Sequence, residues 1–261
     1  MIPKIIHYCW FGGGSKSDLI LRCIDSWKRY CPDYEIVEWN EKNFDVDFCE
    51  YSHDAYQAKK WAFVSDIARI KILYDNGGIY LDTDVEIHNN FDELLHYDAW
   101  FAQDDIRYIN TGLGVGACKG NELIGTILSK RIERNFDMII CNTVDTPIIR
   151  EYLGYKQSRE SQCLRDTYII GMVEYPKYAK HWEGNSWKSE NDREFQNTRR
   201  NRFWKIKCWL RNPRLINYLE RNGETKISKM YVFFSYDFLD NGPVYFIKRV
   251  LKKCLRNSFF E

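Results

Sequence analysis

Three acidic residues stand at alternate positions after a short apolar stretch, in the segment NGGIYLDTDVE that spans residues 76–86. Asp82 and Asp84 directly follow the apolar residues 79–81, and alternation along a strand would place their side chains on the same side. Two ionised carboxylates repel one another unless a cation lies between them, and carboxylate oxygens suit Mg²⁺ or Mn²⁺. The pair therefore indicates metal-assisted chemistry on a phosphorylated substrate.

Other interpretations of the acidic pair stay open at this point, because Asp-x-Asp is a common sequence. Aspartate is frequent in loops, so the pair is also consistent with the polar end of a strand. An apolar strand followed by Asp-x-Asp-x-Val also resembles haloacid-dehalogenase-like phosphatases, in which the first acid, here Asp82, would attack phosphorus. That chemistry expects the motif near the first strand, whereas here it follows a strand and two helices.

Hydrophobic periodicity predicts alternating strands and helices around the acidic pair. The predicted strands cover residues 4–11, 34–39 and 79–81, and the predicted helices cover 18–31, 58–74 and 122–135. Gly77 and Gly78 end the second of these helices, because glycine readily adopts the left-handed conformation of a helix end. This alternation predicts an α/β fold with a mostly parallel sheet flanked by helices, in which ligands bind at the carboxyl ends of the strands.

The chain of 261 residues has a net charge of +1, but the charge is unevenly distributed. Residues 193–261 hold 16 Lys and Arg against 6 Asp and Glu, a net of +10, and residues 1–192 hold 22 against 31, a net of −9. Residues 244–255 form an amphipathic pattern with apolar residues on one helical face and mostly basic residues on the other. We therefore expect a basic helical extension, residues 191–261, that contacts an anionic membrane surface.

Nine cysteines without a Cys-x-x-Cys pair indicate reduced, mostly buried thiols in a cytoplasmic protein, and not a disulfide framework or a zinc site. The first residues lack the features of a signal peptide, and no run of about 18 apolar residues occurs, so no membrane-spanning helix is expected. With the charge distribution described above, the sequence favours an acidic globular domain in residues 1–190. We expect this domain to lie at the inner face of the plasma membrane.

Four separated segments resemble the DXD-containing glycosyltransferases of family 32, a group that includes yeast mannosyltransferases and bacterial capsule or polysaccharide enzymes. They read IPKIIHYCWFGG, CIDSWKRYCPDYEIVEWN, AKKWAFVSDIARIKILYDNGGIYLDTDVE and NTGLGVGACKG. The resemblance covers residues 2–120 well and continues more weakly to residues 181–187. It implies a GT-A fold with a Rossmann-like sheet, a UDP- or GDP-sugar donor, Mn²⁺ or Mg²⁺, and transfer with retention at the anomeric carbon.

The resemblance also assigns residues to the nucleotide-sugar. It implies that Trp10, at the end of the first strand, stacks on the nucleotide base. The Ser-Asp-x-x-Arg element places Asp66 and Arg69 on one helix face, where they would bind ribose and donor sugar hydroxyls. Tyr80 corresponds to a tyrosine near the nucleotide, and core packing is an equal interpretation of it.

The catalytic carboxylates follow from the same resemblance. Asp84 would bind the metal directly, and Asp82 would bind the ribose or the metal. Asn110, in the segment that resembles the lining of the donor sugar site, and Asp105 would contact the sugar or the acceptor. Glu86 has no corresponding role in the family, and we expect it to lie outside the site.

A later segment, HWEGNSW at residues 181–187, resembles the part of the family that supplies a further metal contact. It departs from the usual His-His-Tyr-x-x-Ser-Trp, because Lys180 replaces the first histidine and the spacer is one residue longer. The choice of ligand therefore stays open. The candidates are His181, Glu183 and Ser186. Trp187 would contact the nucleotide-sugar.

Together these features predict a retaining transferase of hexosyl or N-acetylhexosaminyl groups, with its catalytic domain in residues 1–190. The acceptor would be a hydroxyl of a glycan or lipid-linked oligosaccharide, in bacterial polysaccharide biosynthesis of the capsule or O-antigen type. The alternatives are a phosphatase that uses Asp82, or an inactive module that binds membrane or nucleic acid through its basic end. The intact acidic pair and the Asp66–Arg69 element argue against inactivity, and we expect no nucleic-acid partner.

Overall fold

Residues 1–103 and 106–182 are described in the computed structural model. The predicted basic extension at 191–261, its helix at 244–255, and the candidate site residues Asp105, Glu183, Ser186 and Trp187 lie outside the described residues. Their predicted roles therefore stay predictions, and so does the domain boundary at residue 190.

The described chain forms nine strands and five α-helices. The strands are β1 (Ile5–Cys9), β2 (Glu35–Trp39), β3 (Gly78–Tyr80), β4 (Val85–Ile87), β5 (Ala99–Ala102), β6 (Val115–Ala117), β7 (Gln162–Leu164), β8 (Thr167–Ile170) and β9 (Ala179–His181). The helices are α1 (Asp18–Tyr30), α2 (Glu50–Gln57), α3 (Trp61–Asn76), α4 (Glu122–Ile132) and α5 (Cys141–Leu153). Short 3₁₀ turns cover Asp92–Leu94 and Tyr175–Lys177.

Seven strands form the central sheet in the order β2-β1-β3-β6-β5-β8-β7, and β4 pairs with β9 in a separate antiparallel ribbon. Strand β1 is parallel to β2 and β3, and β5 is parallel to β8. Strand β6 runs antiparallel to both β3 and β5, and β7 runs antiparallel to β8. Five of the seven strands therefore point the same way, which confirms the predicted α/β fold with a mostly parallel sheet.

The two faces of the sheet support two separate hydrophobic cores. Side chains of β5 alternate between them, because Phe101 packs in the core beneath α2 to α5 and Trp100 packs in the core beneath α1 and residues 85–95. Alternation of this kind is the period-2 pattern of a strand buried on both faces. The sheet is thus the middle of three layers, and its edge of strand ends stays open to solvent between the helices.

The glycine pair after α3 is required by backbone conformation and by close packing. Gly77 ends the helix with φ +70° and ψ −164°, so its φ is positive as predicted but its ψ is not that of a left-handed helical cap. Gly78 has φ +97°, and a Cβ on it would lie 2.8 Å from His7 Nε2. Any side chain at position 78 would therefore push β3 away from β1.

His7 lies on β1 and has structural partners on both ring nitrogens. Its Nδ1 accepts a hydrogen bond from the Trp39 indole N–H at 3.1 Å, and its Nε2 lies 2.9 Å from the carbonyl oxygen of Gly77. Because the indole can only donate, the neutral ring carries its proton on Nε2 and donates to Gly77. Burial lowers the pKa of His7 to about 4. The ring thus joins β1, β2 and the end of α3 in its neutral form.

Seven cysteines lie in the described part of the chain, and no two of them form a disulfide there. Cys9, Cys23, Cys31 and Cys141 are buried, whereas Cys163 is exposed. Burial raises the pKa of Cys9 to about 12 and that of Cys23 to about 12. Within residues 1–103 and 106–182, no helix is long and apolar enough to cross a bilayer.

Neutral His7 makes stability depend on pH. The folded-state pKa of about 4 lies below the ordinary value of 6.5, so the unfolded chain binds the extra proton between these pH values. Stability contributed by the neutral ring is present above pH 6.5 and falls by up to about 3 kcal/mol as the pH approaches 4. Urea denaturation of the wild type and of His7→Gln, which cannot titrate, should give a difference in unfolding free energy that shrinks over this range. A difference independent of pH would refute the assignment.

Candidate active site

Asp82 and Asp84 lie at the carboxyl edge of the sheet, as predicted, but in a turn and not on a strand. The N–H of Leu81 donates to the carbonyl of His7 at 3.1 Å, which extends the pairing of β3 with β1 by one residue. The N–H of Val85 then donates to the carbonyl of Asp82 at 3.0 Å and closes a β-turn with Asp84 at its third position. The turn, and not strand alternation, therefore sets the directions of the two carboxylates.

Arg69 connects the acidic pair to helix α3. Its side chain is 4% exposed, and its Nη2 donates to Asp66 Oδ1 at 2.7 Å, which confirms that these two residues share a helix face. The same Nη2 lies 3.1 Å from Asp82 Oδ1. The guanidinium carbon also lies 4.8 Å from the centroid of the Tyr80 ring. One buried cation thus joins the two acidic elements that the sequence identified separately.

Nη1 of Arg69 is buried and has no hydrogen-bond partner among the residues that the structure describes. A buried guanidinium N–H without an acceptor is costly, so such an atom usually has a water or ligand partner. Nη1 faces the loop at Gly112, where a Cβ on the glycine would lie 2.9 Å away. Nη1 is thus a hydrogen-bond donor of Arg69 that the described residues leave unused at the Gly112 loop.

The carboxylate of Asp82 is held through Oδ1, and its Oδ2 lies at the Gly112 loop. Oδ1 accepts from the Tyr80 hydroxyl at 3.1 Å and from Arg69, and Oδ2 would lie 2.1 Å from a Cβ on Gly112. Burial raises the pKa of Asp82 to about 6, while Arg69 opposes the shift and Asp84 adds to it. A second positive charge at this point would favour the ionised carboxylate.

His181 is brought beside Asp84 by the ribbon of β4 and β9, in which Val85 is paired with His181. Nε2 of His181 lies 3.3 Å from Asp84 Oδ1, and the side chains of both residues are 20% exposed. The N–H of Trp182 donates to the carbonyl of Asp84 at 3.0 Å. The predicted closeness of His181 to the acidic pair is therefore present in the fold.

The donor atoms of this region suit a hard divalent cation that also binds phosphate oxygens. They are the carboxylates of Asp82 and Asp84 and the imidazole of His181. No three His, Cys, Asp or Glu side chains within residues 1–103 and 106–182 converge as a complete metal site. The residues fit a cation that keeps most of its positions for water and substrate, and the metal itself stays a prediction.

Trp10 lies directly after β1 on the same edge and is only partly buried. Its indole N–H donates to the carbonyl of Gly14 at 2.7 Å, and Lys16 Nζ lies 5.2 Å from the ring centroid. Its backbone N–H donates to the carbonyl of Trp39 at 2.8 Å. Trp10 is therefore held at the sheet edge with part of its ring accessible, as a stacking role requires.

Gly112 is a site residue that sequence reasoning missed. Its carbonyl accepts from the N–H of Asp82 at 2.9 Å, and its N–H donates to the side chain of Asn110 at 2.9 Å. The predicted sugar contact Asn110 thus also shapes the loop that faces Asp82. The segment NTGLGVG contained the signal, since its first glycine meets the acidic motif directly, but which glycine does so depends on the tertiary structure.

A buried ion pair behind the site was also missed. Arg131 of α4 and Asp145 of α5 have side chains that are 6% and 0% exposed, and Arg131 Nε donates to Asp145 Oδ1 at 2.8 Å. Nη1 of Arg131 donates to the backbone carbonyl of Asp66, and Asp145 Oδ2 accepts from the Thr111 hydroxyl at 3.2 Å. The pair therefore supports both α3 and the loop next to Gly112.

Glu86, which was expected to lie solvated outside the site, has two partners beside it. Its carboxylate accepts from the Trp182 indole N–H at 2.8 Å and lies 3.6 Å from Arg22 Nη2. The Arg22 guanidinium carbon lies 4.5 Å from the centroid of the Trp182 ring. Glu86 thus fixes Trp182, the residue that follows His181.

Comparisons with known proteins agree with this geometry. Residues 17–104 match the family described as the glycosyltransferase sugar-binding region containing a DXD motif. This part of the chain, which holds Asp66, Arg69, Asp82 and Asp84, is therefore similar to the DXD-containing glycosyltransferases, and the resemblance seen in the sequence is confirmed.

Two curated relatives are similar to parts of the chain of different extent. Inositol phosphoceramide mannosyltransferase 3 of Schizosaccharomyces pombe is 34% identical over 137 residues, which are 47% of this chain and 35% of that protein. The uncharacterized glycosyltransferase L373 of Acanthamoeba polyphaga mimivirus is 30% identical over 174 residues, 62% of this chain and 64% of that protein. The chain thus spans about a third of the length of the yeast relative.

Among solved structures, the PaToxG glycosyltransferase is similar to 59% of this chain and matches over 70% of its own length. The identity is 20% and the TM-score is 0.49.

The buried pair gives a prediction about stability. Asp145→Ala should lower the free energy of unfolding by about 3–5 kcal/mol, because it leaves the buried Arg131 charge without a partner. Asp137→Ala is the matched control, since it removes the partner of Arg134 from a pair that is 33% and 35% exposed. The control should cost less than about 1 kcal/mol. Similar losses for both variants in urea denaturation would contradict the support role of Asp145.

Proposed function

We propose that the chain is a metal-dependent glycosyltransferase that moves a hexosyl group from a nucleotide diphosphate-sugar to an acceptor hydroxyl. The observation that carries the proposal is the buried guanidinium of Arg69, which contacts both Asp66 and Asp82 at the carboxyl end of β3. It lies inside the region that matches the sugar-binding family. Ligands of parallel α/β sheets bind at this edge, which supports the same placement for the donor.

The donor would lie between Trp10 and Asp84. Trp10 offers a partly accessible ring to the nucleotide base, and the backbone around it is held by Trp39 and Gly14. The unpartnered Nη1 of Arg69 would donate to a sugar hydroxyl or a diphosphate oxygen. Asp66, fixed by Arg69 and by the hydrogen bond from Arg131 to its carbonyl, would accept from ribose or donor sugar hydroxyls.

Asp84 and Asp82 would hold a Mn²⁺ or Mg²⁺ ion, with His181 beside Asp84. When bound, such a cation neutralises charge that develops on a leaving diphosphate. Arg69 and Tyr80 keep Asp82 oriented, and Gly112 lets its carboxylate lie against the loop. We propose transfer with retention, in which the acceptor hydroxyl attacks from the face that the diphosphate leaves and gives its proton to a departing phosphate oxygen.

The sugar and the acceptor are the finer parts of the proposal. The yeast relative is named a mannosyltransferase, which favours a mannosyl or another hexosyl donor over an N-acetylhexosaminyl donor. A glycan or lipid-linked acceptor agrees with the net charge of +10 in residues 193–261, which suits an anionic membrane surface. We also propose that the protein is located at the cytoplasmic face of the membrane as a peripheral protein, and that it acts in polysaccharide biosynthesis.

Phosphoester hydrolysis by Asp82 is the weaker candidate. A carboxylate nucleophile needs an oxygen free to approach phosphorus, and Arg69 and Tyr80 already bind Asp82 Oδ1, which leaves only Oδ2 for that role. The match of residues 17–104 to a sugar-binding region also favours transfer of a sugar. Release of phosphate from small phosphate esters would support the phosphatase interpretation instead.

Asp84→Asn should lower sugar transfer by about a hundredfold or more, because it removes a negative charge from the cation site. The measurement is release of UDP or GDP from a panel of nucleotide-sugars with Mn²⁺ and a glycan acceptor. Asp54→Asn, a charge change on the exposed side of α2, is the control and should keep full activity. Near-normal sugar transfer by the Asp84→Asn variant would contradict the metal-dependent mechanism.

Gly112→Ala should weaken binding of UDP or GDP in the presence of Mn²⁺ by about tenfold or more, since its Cβ would displace the carboxylate of Asp82 and crowd Arg69. Titration calorimetry measures the affinity. Gly120→Ala is the control, because Gly120 has φ +71° but no atom within 4 Å of an added Cβ. It should cost stability through backbone strain and leave nucleotide affinity unchanged. Equal affinity for the wild type and Gly112→Ala would contradict the role of the loop.

A further inference from the structure

A cleft of about 310 Å³ lies beside the acidic turn, between helix α1 and strand β4. Its wall on α1 is a stripe of side chains at helical spacing, and Glu86 of β4 lies across from it. Its lining includes Asp18, Leu21, Arg22, Asp25, Arg29 and Glu86. Asp18 and Arg29 are eleven positions apart, so the stripe is roughly 16 Å long at 1.5 Å per residue. The cleft is therefore large enough for a small ligand and longer than a single sugar ring.

Trp182 joins this cleft to the acidic turn. Its backbone N–H donates to the carbonyl of Asp84, and its indole N–H donates to Glu86, which lines the cleft. Arg22, also in the cleft, lies over the indole ring. Burial raises the thiol pKa of Cys23 in α1. The nearby carboxylates of Glu86 and Asp84 raise this pKa further. The cleft is thus linked to the acidic turn through Trp182, and Glu86 of its lining is two positions from Asp84.

The side chains of the cleft match the groups of a carbohydrate. Carboxylates of Asp18, Asp25 and Glu86 accept hydrogen bonds from hydroxyls, and the guanidinium groups of Arg22 and Arg29 donate to them. Leu21 lies between these groups and is 48% exposed, so it offers an apolar surface to the C–H face of a sugar ring. Three carboxylates against two guanidinium groups also disfavour an anionic ligand such as a free phosphate.

We propose that this cleft is the acceptor subsite, and that it binds a neutral, hydroxyl-bearing sugar residue of the acceptor. The inference rests on the proposed function, because it uses the adjacent turn as the donor side. It adds the class of acceptor group and its position, on the α1 side of Asp84. Trp182 connects the two sides, because its indole N–H donates to Glu86 and its backbone N–H donates to the carbonyl of Asp84.

The test is direct binding of neutral sugars, which needs no turnover. Saturation-transfer NMR with methyl α-mannoside, methyl α-glucoside and methyl β-galactoside, in the presence of GDP or UDP and Mn²⁺, should detect binding of at least one glycoside to the wild type. Asp18→Asn and Arg29→Gln should each weaken it about tenfold, as expected for a lost hydrogen bond to a charged group. Both residues are exposed, so the variants should fold normally.

Lys156→Gln is the control, because it removes a positive charge from an exposed residue outside the cleft. It should bind the glycoside as the wild type does. No glycoside binding by the wild type, or equal binding by all variants, would overturn the subsite. Nucleotide binding measured in the same samples separates the two proposals, since retained GDP or UDP binding without a glycoside contradicts only the subsite. Absence of nucleotide binding would contradict the proposed function.

Discussion

The buried guanidinium of Arg69 is the constraint on which the rest of the site depends. A charge with a side chain only 4% exposed must be compensated by anions, because desolvation of an unpaired cation costs several kcal/mol. Burial alone would lower the pKa of Arg69, but Asp82, Tyr80 and Asp66 together raise it well above the ordinary value. This need for compensation binds helix α3 to the turn after β3, and so holds the acidic motif at the sheet edge.

The surroundings of Arg69 follow from that requirement. Gly112 has no side chain because the carboxylate of Asp82 and Nη1 of Arg69 occupy the space that one would fill. A second buried cation, Arg131, hydrogen-bonds the carbonyl of Asp66 and is compensated by Asp145, which also contacts Thr111 next to the glycine. Two buried ion pairs therefore hold the same loop and the same helix from opposite sides. One hydrogen-bonding atom of Arg69, Nη1, remains unpartnered within the described chain and lies near Gly112.

The antiparallel ribbon of β4 and β9 connects the donor side to the proposed acceptor side. It starts at the acidic turn and returns the chain from residues 179–181, so His181 and Trp182 reach Asp84 from almost a hundred positions away in sequence. Trp182 contacts the turn through its backbone and Glu86 through its ring nitrogen. A single rigid element thus fixes both sides of the site, as transfer between two bound substrates requires.

The sequence alone determined what depends on near neighbours along the chain. Strand and helix alternation, the shared face of Asp66 and Arg69, and the position of the acidic pair after a strand are local patterns, and periodicity encodes them. Tertiary structure decided the rest. The turn conformation of Asp84, the clearance at Gly112 and the partners of Glu86 arise from segments that meet only in the folded chain. The Arg131–Asp145 pair joins two helices. No periodic pattern in the sequence marks these two polar residues as buried, because the burial of a charge depends on the residues that surround it in the fold.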